Sequence, residues 1–423
     1  MFKVSDKHIG IFAVFVYFVS QYISDILPAG QLLTLLPLAM LIFLIIKRNG
    51  LKVRRQLSPY LVYMYGFALF CVASMLWAAD PSLTVSKRNS VIIATIGMTI
   101  VYLYAYYHLD IQDILTIMMY GGYISVLVIS LRYGWSGIRS LLSEQERMSS
   151  SLINSNTLGM CTAYTIVINI YYILYGKKRL TDVLIIPAIA IIAVSGSRKA
   201  LMIMVGGCFA LLVLKNLNNR NRLKLLFRAL LTVVFFIIIL FFLTRLKIFS
   251  NVMGRMGDIF EYLEGNATRA TNSVWLRFAY TRLGWELFTK HPIFGIGIGN
   301  APIYTMLFYG NAHYLHNNYM EMLACGGIVG FLIHYWIYVY LLRVYIKNFK
   351  HHEKEFNICF VLLIFKLIMD IGAVSYYSKT TYFYLLLFIM GVTKIKEISG
   401  NRQGNNAVIY TYKDIKEVQG HAY

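Results

Sequence analysis

Long apolar stretches separated by short polar ones recur from one end of the chain to the other. An apolar run near bilayer length reads as a helical membrane span. On that basis the pattern predicts twelve: Ile9–Leu27, Gln31–Ile46, Pro59–Trp77, Ser90–Tyr107, Gln112–Leu131, Thr157–Tyr175, Val183–Val194, Ala200–Leu214, Ala229–Thr244, Asn317–Ile346, Ile358–Tyr376 and Tyr382–Val392. Val183–Val194 is short for a crossing and is expected to be tilted, broken or re-entrant. The short alternating segments of a β-barrel do not occur. The expected fold is an all-α polytopic membrane protein with about twelve transmembrane helices and one large extracytoplasmic loop. Lys3 and Lys7 precede the first run as in a signal sequence. That run is long and lacks a small-residue exit, so it is expected to stay as a span.

The expected division is a transmembrane bundle over residues 1–244, a large loop over 245–316, further membrane helices over 317–394 and a polar tail over 395–423. The loop is longer than connections in compact folds usually are. Its helical patterning from Val274 to Phe288 favours a folded segment.

Composition agrees with a membrane protein. Of 423 residues 58% are hydrophobic and only 14% charged, and the mean hydropathy is +0.60. A net charge of +21 in a soluble chain would suggest nucleic acid. Here the positive-inside rule offers a simpler account, and no nucleic-acid partner is expected. Four basic connections fall on one side of the predicted bundle, around Lys47–Arg55, Lys177–Arg179, Lys215–Arg228 and Lys347–Lys354. That side, with both termini, is assigned to the cytoplasm.

The opposite face nevertheless carries Arg147, Arg198, Lys199, Arg245, Lys247, Arg255, Arg269, Arg277, Arg282 and Lys290. This runs against the rule, and arginine dominates the set. A guanidinium presents a planar fork of donors suited to phosphate, so a phosphate-bearing ligand at the outer surface is expected. The five cysteines, Cys71, Cys161, Cys208, Cys325 and Cys359, are scattered through apolar runs without a CxxC. They read as buried free thiols.

Several residues have the chemistry for a site. Arg198 opens an apolar run after Ser195-Gly-Ser. A cation at a helix start opposes the dipole unless an anion is shared with the free backbone N–H groups; snorkelling to lipid headgroups is the alternative. Arg277 and Arg282 would sit about 140° apart on a helix, so one ligand would not meet both equally. An amphipathic helix lying on the membrane explains them as well. His291–Asn300 is glycine-rich but follows no strand, so it reads as a tight, flexible return of the loop to the membrane. His316 stands where the polar loop meets an apolar run, placed to act as a general base. His313 and Glu321 are its neighbours, and Glu321 is a candidate to orient the ring. A metal pair at His313 and His316 would lack a second ligand cluster, so no metal or other cofactor is expected. Lys366 and Asp370, four apart inside a span, read as an intrahelical ion pair facing the bundle interior.

These motifs occur in a recognisable order: Ser195-Gly-Ser-Arg198-Lys-Ala, then Trp275-Leu-Arg277 with Trp285, then His291-Pro-Ile-Phe-Gly-Ile-Gly-Ile-Gly-Asn300, then His316-Asn-Asn-Tyr-Met-Glu321 with Gly326-Gly327-Ile-Val-Gly330. They resemble the O-antigen ligase and polymerase superfamily, bacterial membrane glycosyltransferases of GT-C type. Arg147 and Asn154-Ser-Asn-Thr-Leu-Gly159 are similar to its upstream motif. The resemblance implies transfer of a glycan from undecaprenyl diphosphate to a sugar hydroxyl at the outer face of the inner membrane. The transfer would invert the anomeric centre without a nucleotide sugar or a metal. It further implies that Arg198 and Arg277 bind the diphosphate and His316 activates the acceptor. Arg147, Arg282, His313 and Glu321 are secondary candidates. The acceptor would be a lipid-linked repeat unit in a polymerase or lipid A–core in a ligase. A chain-length regulator is a further candidate partner, besides membrane lipids. Polymerase is the favoured expectation; a glycan transporter and a non-catalytic assembly partner are the competing classes.

Overall fold

Polar residues just ahead of apolar runs start many of the helices. Ser58 accepts a bond from the Tyr60 amide with Pro59 at the first helical position. Asp80 with Pro81, Asn154, and Asn317 do the same for their helices. Each side-chain oxygen satisfies an amide that has no partner within its own helix.

The computed structural model describes residues 5–24, 26–27, 30–49, 58–143, 154–176, 179–216, 254, 257, 261–265, 273–349 and 354–394. The helices that matter here are α1 (Asp6–Ile23), α2 (Leu32–Asn49), α3 (Pro59–Ala73), α4 (Pro81–His108), α5 (Ile111–Ser143), α6 (Ser155–Tyr175), α7 (Ile185–Ser195), α8 (Arg198–Asn216), α9 (Ser273–Lys290), α10 (Ala301–Tyr309), α11 (Asn318–Lys347) and α12 (Lys354–Asp370). The helix over residues 379–394 is α13. All regular structure among the described residues is helical. Six stretches, Pro59–Leu76, Pro81–His108, Ile111–Arg132, Ser155–Tyr175, Arg198–Asn216 and Asn318–Lys347, are long and apolar enough to cross a membrane. The expected span Ala229–Thr244 and the candidate Arg147 lie outside the described residues.

Two ends of the bundle differ in character. At one end Lys47 meets Asp6 at 3.0 Å, Lys7 meets Asp113 at 2.8 Å, and Lys394 meets Glu355 at 3.5 Å. Gln112 joins this end to α6 and α12 by donating to the Tyr171 hydroxyl and to Glu355. Lys215 donates to the Leu174 carbonyl there. The cationic connections therefore gather at one end, and the starts of α4, α6, α8 and α11 lie at the other.

The centre of the bundle is α13. Tyr382, Phe383, Leu385, Leu386, Leu387 and Phe388 are each fully buried, as expected of a helix that is apolar all round and enclosed by others. Phe18 of α1 packs on Phe383, Tyr60 of α3 donates to the Tyr382 carbonyl, Tyr164 of α6 packs on Tyr384, and Tyr345 of α11 donates to the Phe388 carbonyl. The expected span Ile358–Tyr376 is corrected. The helix stops at Asp370, and residues 371–378 form a turn. Ser375 and Tyr376 in that turn donate their amides to the Asn318 side chain at 2.9 and 3.2 Å, which no helical continuation would allow.

The glycine-rich segment is also not the flexible return expected. It plugs a break in α11. Gly327 there has φ 62° and ψ −166°, a region nearly confined to glycine. The freed backbone groups pair with the segment. Ile296 and Gly297 donate to the Ala324 and Cys325 carbonyls, and Ile328 donates to the Pro292 carbonyl, at 2.8–3.0 Å. A Cβ at Gly327 would lie 2.3 Å from the Ile293 carbonyl oxygen. Gly327→Ala is expected to cost on the order of 1–3 kcal/mol from backbone strain alone, with the clash adding to it. A clear fall in the thermal unfolding midpoint would register this; an unchanged midpoint would mean that the plug is not built this way.

Candidate active site

The turn between α7 and α8 sets the first cation. Gly196 takes a left-handed conformation at φ 59° and ends α7. The Ser197 hydroxyl accepts a 3.4 Å bond from the Ala200 amide at the start of α8. Arg198 and Lys199 thus emerge at the helix start, both half-buried. Gly159 of α6 lets this turn approach: a Cβ there would meet the Ser195 hydroxyl at 2.7 Å and Ser197 and Ala200 at 3.0 Å. That close approach gives the upstream motif a packing role.

Arg198, Lys199 and Arg277 stand round one apolar groove of ≈ 700 Å³, whose walls include Met202, Val205, Val274 and Phe278. On the far side of Lys199 lies a more polar cavity of ≈ 300 Å³, which His316, Tyr314, Tyr377, Asp370 and Ser375 help to line. Lys199 borders both spaces, and the loop does likewise: His316 faces the polar cavity and Asn317 the apolar groove. An apolar trough, a cationic neck and a polar chamber follow one another in space.

His316 is the one described non-glycine residue with positive φ, at 57°. Such strain persists only where surroundings enforce it, and it concentrates at functional sites. The ring stacks on Tyr280 at 6.0 Å between centroids and leans on Tyr314 at 4.4 Å. Burial, then the positive charges of Arg277, Lys199 and His313, push its pKa down to about 3. The imidazole is therefore neutral, with a lone pair available, throughout the physiological range. Burial raises the Tyr314 and Tyr377 hydroxyls, so both stay neutral donors and acceptors.

The other sequence candidates fall elsewhere. Arg282 is exposed and pairs with Glu286 at 3.4 Å, on a different side of α9 from Arg277. His313 is exposed, with its ring 5.9 Å from that of His316. Glu321 is buried and accepts the Leu315 amide at 2.8 Å. It holds the backbone beside His316, in place of the expected contact with the ring. Among the described residues no three His, Cys, Asp or Glu side chains converge.

Sequence reasoning missed the polar network behind the cavity. Lys366 and Asp370 form the intrahelical pair expected, at 2.7 Å, and both also line the polar cavity. Ser375 donates to Asp370 at 2.6 Å. Asn318 accepts from the Ser375 amide and donates to the Tyr335 hydroxyl at 2.8 Å. Of the two asparagines after His316, one caps α11 and the other fastens it to the 371–378 turn. Their adjacency was the available signal, but the partners are distant in sequence.

Residues 183–335 match the family model described as O-Antigen ligase. This region belongs to the O-antigen ligase and polymerase superfamily. The match contains Arg198, Arg277, His316 and Glu321, together with the broken-helix glycines Gly326 and Gly327. The Asn154–Gly159 motif lies upstream of it. No curated protein matches the chain.

Were His316 to act as a general base, the acid limb of kcat/KM would fall well under the usual histidine range, because that limb reports groups of the free enzyme. The base form is present above its pKa and lost as pH falls through it, so activity should persist through pH 6. A limb at about pH 6.5 would show that the ring does not feel the neighbouring cations.

Proposed function

We propose that this protein is a membrane glycosyltransferase of surface polysaccharide assembly. It would polymerise undecaprenyl-diphosphate-linked repeat units by inverting, metal-independent transfer to a sugar hydroxyl. The observation that carries this reading is the sequence of spaces just described. An isoprenoid chain fits an apolar trough, a diphosphate fits Arg198 and Arg277 on the groove wall, and sugars fit a polar chamber walled by tyrosines. The acceptor hydroxyl attacks the anomeric carbon of the donor sugar. His316 takes the hydroxyl proton, the new C–O bond forms opposite the old one, and the lipid diphosphate leaves. The two guanidinium groups stabilise its developing charge. The bound anion also offsets the cations round His316, so the imidazole becomes a better base when the donor is present.

The proposed architecture is about twelve spans of GT-C type, in a bacterial inner membrane. The cationic end faces the cytoplasm by the positive-inside rule, which puts His316 and the 245–316 loop on the extracytoplasmic face. The description of the matching family model as O-Antigen ligase favours a second reading, in which the acceptor is lipid A–core. Purified full-length protein with a lipid-linked repeat unit separates the two, run with and without lipid A–core. Lengthening of the repeat unit alone supports polymerisation. Product only when lipid A–core is present supports ligation. Transfer in neither mixture would remove the enzyme reading.

A further inference from the structure

The apolar groove and the polar cavity are separated by a thin partition. One side of it is Lys199, whose ammonium donates to the Gly372 carbonyl. Ile371 and Gly372 face the groove, while Ala373 to Ser375 face the cavity. The other side is the His316–Asn317 step. A molecule with an isoprenoid chain in the groove and a sugar in the cavity must cross here, and its diphosphate is the part that would lie at the crossing.

We infer that Lys199 is a third ligand of the donor diphosphate, and that its ammonium exchanges the Gly372 carbonyl for a phosphate oxygen as the donor straddles the partition. This rests on the donor assignment made above and adds a residue and a movable contact to it. A neutral carbonyl is the weaker partner for an ammonium. A charge-assisted bond to phosphate is roughly twice as strong as a neutral one. The lysine stem is flexible and its charge compact, so it can swing between two acceptors where a guanidinium fork would be fixed. The same contact ties α8 to the 371–378 turn that carries Ser375.

The test is calorimetric binding of farnesyl diphosphate and of farnesol to the full-length protein in lipid nanodiscs. Wild type is expected to bind the diphosphate more tightly than the alcohol. Lys199→Met should weaken the diphosphate about tenfold or more and leave farnesol unchanged, with Lys199→Arg recovering part of the loss. Gly372→Ala provides the second arm. Its new Cβ would sit 2.9 Å from the Lys199 Cε, dislodging the ammonium from the carbonyl while keeping the charge. Diphosphate binding should then hold or tighten. If Gly372→Ala weakens it as Lys199→Met does, the lysine is only a brace and the inference fails. Full affinity in Lys199→Met alongside loss in Arg277→Ala also defeats it, leaving the donor assignment intact. Equal binding of the diphosphate and the alcohol by wild type would defeat both.

Discussion

Replacing His316 by glutamine is expected to lower kcat for glycosidic bond formation by about 10²–10⁴-fold, while donor binding changes little. The ring faces the polar cavity and its pKa is held down at about 3, so in the proposed transfer it would be the group that accepts the proton. Glutamine keeps a comparable size and a polar end but cannot accept a proton at neutral pH. A second substitution separates chemistry from folding. His316→Gly removes a side chain from a left-handed backbone position at φ 57°, which should stabilise the fold by on the order of 1 kcal/mol. Activity should still be lost. Single-turnover transfer from a lipid-linked repeat unit measures the first effect and thermal unfolding the second. Near-normal turnover in His316→Gln would mean that another group takes the proton.

Arg198→Ala and Arg277→Ala should each reduce kcat/KM by about 10²–10³-fold, the usual loss when a donor to a developing oxyanion is removed. The double variant should fall short of the product, because both act on one ion. Lysine should rescue poorly, since it lacks the planar fork. Arg282→Ala should behave nearly as wild type. Its exposed pair with Glu286 is of a kind worth little to stability, and it stands away from the groove. Steady-state kinetics across these variants decide this. Loss of activity in Arg282→Ala with retention in Arg277→Ala would reverse the assignment of the two arginines.

Much of the framework was legible because it depends on local pattern. Apolar runs of bilayer length announced most of the helices, but not all of their starts: the expected span from Ser90 begins at Pro81, where Asp80 caps it. The five-residue separation of Arg277 and Arg282 indicated that they diverge. What stayed hidden depends on contacts between distant segments. The burial of α13 on all sides comes from neighbours that include α1, α3, α6 and α11, and its own sequence would suit a lipid-facing span equally well. The stop at Asp370 is imposed by Asn318, 52 positions earlier (370 − 318), which takes the amides of Ser375 and Tyr376. Glu321 looked placed to orient a ring, but the left-handed turn at His316 brings the Leu315 amide to it instead. The glycines of 295–299 suggested looseness. They are in fact the condition for two backbones to touch: a Cβ at Gly295 would lie 2.5 Å from the Cys325 carbonyl carbon. Lys199 was visible as one outward cation among ten. Its position between two cavities follows only from the fold of the 371–378 turn.

The most direct test is a cryo-electron microscopy map of the His316→Gln chain in nanodiscs with its lipid-linked diphosphate glycan bound. The expected map has the isoprenoid in the groove beside Met202 and Phe278, both phosphates between Arg198 and Arg277, and the first sugar in the cavity next to residue 316. Phosphate density at the Lys47–Lys394 end of the bundle, or a lipid diphosphate bound away from both arginines, would contradict it.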